Sequence, residues 1–284
     1  MRAVAWTVWS VELNDAAGLV INWPSVRPSD GPFDSRSKSD RTDSIRQNLR
    51  DIDDLFSAAQ AYADNRAANT GAPTDLRYEA MLEVLPGAGD DQEPVFISAN
   101  DVDQSTSAVT WATSRELRPV IVGGRDAHLC AELLRSHDVP VIVSGTHGFP
   151  KRTDSPFDDP FTLPKRLQDA GVRWCLNTND RDGNVRNLPH EAGRAVAFGL
   201  DHDSALAAIT LWPAQILGVG DEIGSIEQGK LATLILTDGD VLEVTSNVKR
   251  AWIDGREIDL SNKQTKLRDK YRDKYQQLGI IEKD

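Results

Sequence analysis

Short runs rich in Val and Ile recur along the middle of the chain, and this recurrence most restricts what it can fold into. The clearest are Pro94-Val-Phe-Ile-Ser-Ala99, Arg118-Pro-Val-Ile-Val-Gly123, Val139-Pro-Val-Ile-Val-Ser144 and Val172-Arg-Trp-Cys-Leu-Asn177, with Gly18-Leu-Val-Ile-Asn22 as an earlier candidate. Each is continuously apolar rather than alternating, and each closes on polar or glycine residues. A parallel strand covered on both faces has this pattern. Helical patterns fall between them. Ile45, Leu49, Ile52, Phe56, Ala59 and Ala63 repeat at helical spacing. Asp126 is placed to cap a helix to Ser136 with Ala127, Cys130, Ala131 and Leu134 on one face, and Pro164 and Gly171 are placed to open and close another. Strand and helix in alternation imply βαβ units and a parallel sheet.

Beyond the last of these strands the pattern changes. Ala205 to Leu217 reads as two short helices broken at Pro213. Ala232–Thr237 and Val248–Ile253 read as antiparallel strands, with Asp254-Gly255 as a hairpin turn. From Ser261 the chain is charged and helix-prone, the reading of a solvated surface helix. The expected divisions are 1–220 for the parallel unit, 221–260 for the small β unit and 261–284 for the tail. Segment 24–42, rich in Ser, Asp, Pro and Arg, reads as a loop.

The net charge of −12 over 284 residues repels nucleic acid and anionic membranes, so neither is an expected partner. Two cysteines, Cys130 and Cys175, are too few for a disulfide framework and read as small buried hydrophobes. The opening Met1 to Val11 has one Arg and a short apolar run but no clear cleavage site, and reads as a strand. The expectation is a soluble, cytoplasmic protein that takes a small-molecule substrate and is able to form a homo-oligomer.

Residues 205–230 carry a specific pattern. The run Ala205-Leu-Ala-Ala-Ile-Thr-Leu-Trp-Pro-Ala-Gln-Ile-Leu-Gly218 is followed by Gly224-Ser-Ile-Glu-Gln-Gly-Lys230 and Ala232. This resembles the ending of amidohydrolase-superfamily proteins, with Thr233 where the family has Asp. Asp154-Ser-Pro-Phe-Asp158, Leu163-Pro164 and Ala170-Gly-Val172 extend the likeness toward imidazolonepropionase-like members, over roughly residues 75–284. The resemblance implies the α/β class: the later strands of a partial (β/α)8 TIM-type barrel with a small C-terminal antiparallel β unit. It also implies a divalent metal of zinc type, held by a His-x-His pair after the first barrel strand, by His after the fifth and sixth, and by Asp after the eighth.

Carried onto this chain, the resemblance leaves Asp180 as the catalytic and metal-contacting carboxylate. The fifth- and sixth-strand His positions fall near Ser98 and Gly123, which cannot ligate, and no His-x-His occurs. Counting back from Asp180 makes Gly18–Asn22 the fourth barrel strand, so the expectation is either a truncated chain or a degenerate relative. Among substrate-facing candidates, His147 lies just past a strand end, His190 begins a helix on the same side, and Arg152, Arg181 and Arg186 are placed to clamp an anion. Each also reads as an ordinary loop residue, and Asn179 to Gly183 is good turn chemistry. His128 reads as a surface or packing residue, His137 as lying at the far end of the barrel, and His202 as a loop or capping residue. No G-x-S-x-G elbow, H-E-x-x-H or phosphate loop is present. The expected function is therefore hydrolysis of non-peptide C–N bonds, by a chain expected to be inactive alone. The alternative is a non-catalytic binding or structural protein on the same scaffold.

Overall fold

The computed structural model describes residues 13, 17–28, 37–69, 71, 73–87, 92–151, 154–178 and 184–282. The chain divides after Ser225 into two compact units, 1–225 and 226–284. The tail expected to stand apart groups with the small β unit.

The first unit is built on five parallel strands: β1 (Leu19–Asn22), β2 (Val95–Ala99), β3 (Pro119–Gly123), β4 (Val141–Ser144) and β5 (Trp174–Asn177). Their spatial order is their order in sequence. A doubly wound sheet reverses its order at a switch point; this one does not, and it has the sequential winding of a barrel wall. Between β1 and β2 lie α1 (Lys38–Ala68) and the short α2 (Leu76–Glu79). Ser37 caps α1 in a capping box with Asp40, so residues 38–42 of the segment expected to be a loop are already helical, the helix beginning where a hydroxyl satisfies a free helical N–H. Phe56 and Ala59 are the buried residues of this helix. Then come α3 (Val102–Ser114), α4 (Ala131–Ser136), α5 (Asp159–Asp169), α6 (Leu188–Ala197), α7 (His202–Ala207) and α8 (Leu211–Ile216).

Register assigns the strand residues to two faces. Val95, Ile97, Ala99, Ile121, Val141 and Val143 share the covered face, and all are essentially inaccessible. There α3 packs on β2 and β3, and α5 and α6 on β5. The other face carries Val20, Asn22, Phe96, Ser98, Val120, Val122, Ile142, Ser144, Cys175 and Asn177. Its lower part is closed by Ile216 and Trp212 of α8 over Phe96, Val120 and Cys175. Its upper part is more open, with Asn22 and Asn177 exposed. Burial pushes the Cys175 thiol up to about 12, so it is an inert packing group. Among the described residues β1 pairs only with β2 and β5 only with β4, and Leu176 turns its N–H to the Ala208 carbonyl (3.0 Å).

Four helix expectations need correction. Asp126 makes no capping bond; it is buried, residues 127–130 form a 3-10 turn, and α4 begins at Ala131. Pro164 does not open α5 but lies within it, the first-turn proline being Pro160. Pro213 does not break the 205–217 segment, since it sits in the first turn of α8, where a missing N–H costs nothing. Asp201, not His202, caps α7, accepting the Ser204 N–H (2.8 Å).

The second unit holds β6 (Leu234–Thr237), β7 (Val248–Ile253), β8 (Arg256–Glu257) and α9 (Lys263–Gln277). The strands pair antiparallel in that order. Asp254 (φ 49°) and Gly255 (φ 73°) both adopt positive φ, as the turn of a two-residue hairpin requires. Asp238 ties the β6–β7 loop by accepting the Asn247 N–H (2.7 Å) and pairing with Lys249 (2.7 Å), which hold its carboxyl down at about 2. No residue of α9 is buried. No helix among the described residues is long and apolar enough to cross a membrane.

An ion pair within α5 is linked to the turn after β3 through a hydrogen bond to His128. Asp159, 6% exposed, pairs with Arg166 (2.6 Å), and Arg166 Nη1 lies 3.0 Å from His128 Nε2. His128 is therefore a packing residue. Burial raises the Asp159 pKa, but the Arg166 hydrogen bond and charge outweigh it and hold the carboxyl below its ordinary value. A depressed folded pKa means this stabilisation is complete above the ordinary carboxylate range and is lost as pH falls through the folded value. We expect Arg166→Ala to destabilise by roughly 1–3 kcal/mol at neutral pH, with the difference from wild type shrinking in acid. Urea melts at neutral and acid pH check this, and a pH-independent difference would contradict the pairing.

Candidate functional site

Parallel strands present the carbonyl ends of all their members at one rim, and each following loop starts from it. Here the rim begins with Trp23, whose N–H continues the ladder to Ser98 O (3.1 Å) and whose carbonyl accepts from the Gln104 side chain (3.1 Å). Asn22, Ser98, Ser144 and Asn177 are the polar side chains that the open face brings toward this rim, with Asn22 opposite Ser98 and Ser144 opposite Asn177. All four are uncharged.

Ser98 and Gly123 do not offer themselves to one site. Ser98 is in register with Val122, and Gly123 with Ala99, so the two positions alternate between faces. Gly123 also has φ +105°, and a Cβ there would lie 2.5 Å from Asn100 Oδ1. Any side chain, a histidine included, is strained at that position.

The best-defined polar structure at the rim lies between β4 and α6. Glu191 is 4% exposed. Its Oε2 accepts the Thr146 N–H and the His147 N–H (3.3 Å), while the Thr146 hydroxyl donates to the Glu191 carbonyl (2.8 Å). His147 Nδ1 stands 3.9 Å from Glu191 Oε1. Gly145 makes the arrangement possible: its φ is +67°, and a Cβ would sit 2.8 Å from Glu191 Oε2 and 3.0 Å from Thr178 O. Consecutive N–H groups turned by a left-handed residue form a concavity that suits an anion, and the protein's own carboxylate fills it.

The remaining expected site residues are placed as follows. His147 is at the rim with its side chain about one-third exposed. His190 is half-buried in the first turn of α6, beside Glu191. Arg186 is exposed. Asp180, Arg152 and Arg181 lie outside the described residues. His137 lines a hollow at the opposite, N-terminal end of the strands, and a neighbouring hollow of about 330 Å³ beside Trp174 and Trp212 also lies at that end. Glu191 was not anticipated from sequence, because its partners are 44 and 45 residues away and nothing local distinguishes it. Among the described residues no three His, Cys, Asp or Glu side chains converge as a metal site.

Comparison with known proteins agrees with this architecture. The model of the amidohydrolase family matches residues 127–258, which include β4, β5 and the rim loop just described. The family match and the shared fold together support membership of the amidohydrolase superfamily. Amidohydrolase tasK of Hapsidospora irregularis is 27% identical over 194 residues, covering 64% of this chain and 19% of that protein. The imidazolonepropionase of Chromobacterium violaceum is 32% identical over 113 residues, covering 38% of this chain and 25% of the relative. The matched region thus spans a quarter or less of these curated relatives. An amidohydrolase from Thermotoga maritima MSB8 shares the fold, with a TM-score of 0.70 and 24% identity over 86% of this chain and 63% of the other. The partial (β/α) barrel and the separate antiparallel sheet are therefore an amidohydrolase architecture.

The rim loop depends on Gly145. We expect Gly145→Ala to destabilise by at least about 1–2 kcal/mol from the left-handed backbone alone, with more from crowding against Glu191. Thermal denaturation checks it; an unchanged melting temperature would show that the loop takes another conformation.

Proposed function

We propose that the chain carries the later strands of a hydrolase barrel that cleaves C–N bonds outside peptides, in a small-molecule substrate. Asp180 serves there as the carboxylate that takes a proton from the attacking water. The observation that supports this most is the shared rim. β5 ends at Asn177, three residues before Asp180 in the sequence, on the side where His147, His190 and the ends of β1–β4 also stand. His147, Arg152 and His190 are the substrate-facing candidates in this reading. Nucleic acid and membranes are not partners. The outer edges of β1 and β5, which have no strand partner among the described residues, are where further strands or a second copy would add.

The family resemblance leads to a divalent metal of zinc type as cofactor, but the described residues do not fit one. Ser98 has only a hydroxyl to offer, Gly123 has no side chain, and His147 has a single ring beside Glu191. A catalytic zinc site takes three protein ligands of His, Cys or carboxylate type. The needed ligands therefore have to come from beyond the described residues. The same observation favours a second reading, a non-catalytic binding or structural protein on this scaffold.

Two measurements separate the readings. Purified chain incubated with zinc and dialysed should retain well below one ion per chain by elemental analysis; stoichiometric zinc surviving dialysis would return a complete metal centre to this chain. In any preparation that hydrolyses amide or cyclic-amide substrates, Asp180→Asn should lower kcat by roughly 10²–10⁴-fold. An undiminished rate would remove Asp180 from the base role, and a well-folded protein without turnover on a broad C–N substrate panel would favour the binding reading.

A further inference from the structure

We infer that Glu191 is the positioning residue of this rim, setting the loop after β4 and, through it, the place of His147. The inference rests on the reading of the rim as the ligand-facing end, but its test does not require turnover.

A carboxylate that is almost fully buried is costly unless its charge is met by hydrogen bonds. Here the bonds come from the rim loop. Oε2 takes the N–H groups of Thr146 and His147, and the Thr146 hydroxyl, itself fully buried, donates to the Glu191 carbonyl. Glu191 is thus fastened to the loop by side chain and backbone together. His147 meets the same carboxylate twice, through its N–H at 3.3 Å and its ring Nδ1 at 3.9 Å from the other oxygen, so both the backbone and the ring edge are referred to one rigid group. Glu191 is held in turn by α6, which packs on β5. A loop that only joined two elements needs no charge at this depth; a loop that must keep one ring at a fixed place on a rim is served by one, because bonds to an ionised acceptor are about twice as strong as neutral ones.

The test compares wild type, Glu191→Ala and Glu191→Gln as full chains without substrate, reading backbone amide exchange and 1H–15N shifts. In Glu191→Ala the amides of Thr146 and His147 should exchange roughly tenfold faster or more, while Val143 and Leu176 in the sheet keep their protection. Acetate should restore protection at Thr146 and His147 by filling the emptied concavity, and chloride at equal ionic strength should not. Glu191→Gln, which keeps the shape and an acceptor oxygen, should fold with partial protection and with both amide signals moved by loss of the charge. Unaltered exchange at Thr146 and His147 in Glu191→Ala would overturn the inference, as would loss spread evenly over the sheet or no response to acetate. Should Glu191→Ala fail to fold, Glu191→Gln decides alone: unmoved Thr146 and His147 signals would overturn the positioning role. A protein that hydrolyses nothing still answers the test, so its outcome is separate from that of the hydrolase reading.

Discussion

The parallel ladder from β1 to β5 is the constraint from which the rest of the first unit follows. Because neighbours in sequence are neighbours in space, every connection must return to the same end of the sheet before the next strand begins, which places helices such as α3, α5 and α6 on one face. The covered face can then be wholly aliphatic, as Val95, Ile97, Ile121, Val141 and Val143 are. The opposite face is released from that demand. It is closed low down by Trp212 and Ile216 and left polar at its upper end, so the one place where side chains escape the packing requirement is also where all the strand carbonyl ends gather.

That division of labour explains which parts of the fold were legible in sequence. The five strands could be located because Val and Ile runs ending in Gly or polar residues have few other uses, and β2 and β3, packed on both sides, are apolar almost throughout, whereas β1 is only half-buried. The helices were legible as elements and less so in their boundaries. Pro164 looked like a helix start because proline suits a first turn, but Pro160 already occupies that role and the helix continues through Pro164. There the Thr162 hydroxyl (3.1 Å) and the Arg166 guanidinium (2.7 Å) bond the Asp158 and Asp159 carbonyls. Pro213 misled in the opposite direction, lying in the first turn of the helix it was expected to break. Local chemistry marks a residue's tolerance for a position; the turn in which it lies is decided by what packs around it.

The site was harder to read for a different reason. Ser98 and Gly123 were matched to ligand positions by resemblance, at corresponding places near the ends of consecutive strands. Facing, however, follows the two-residue period of the pleat, and a difference of one residue in register carries a side chain to the other side of the sheet. The ladder pairs Ser98 with Val122, not Gly123. Glu191 escaped altogether: a glutamate followed by alanine in a short helix looks like a solvent-facing residue, and only the return of the chain beside the 144–147 loop shows otherwise. The likeness to the amidohydrolase family was legible from 205–230, inside the region that the family model matches, because spaced Thr, Pro, Gly and Lys positions serve turns and helix ends that are local.

Sharing a fold does not by itself settle which chemistry the rim carries. Where the superfamily resemblance places histidines after the fifth and sixth strands, the ladder presents the Ser98 hydroxyl and a left-handed glycine at 123, and neither lowers the pKa of a bound water as a zinc centre does. The rim nevertheless retains an expensive feature, a buried carboxylate whose bonds organise one loop and one histidine. Desolvating that charge is offset by the hydrogen bonds it accepts from Thr146 and His147. The buried Glu191 is thus the group to which the loop after β4 is fastened, in the positioning role proposed for it.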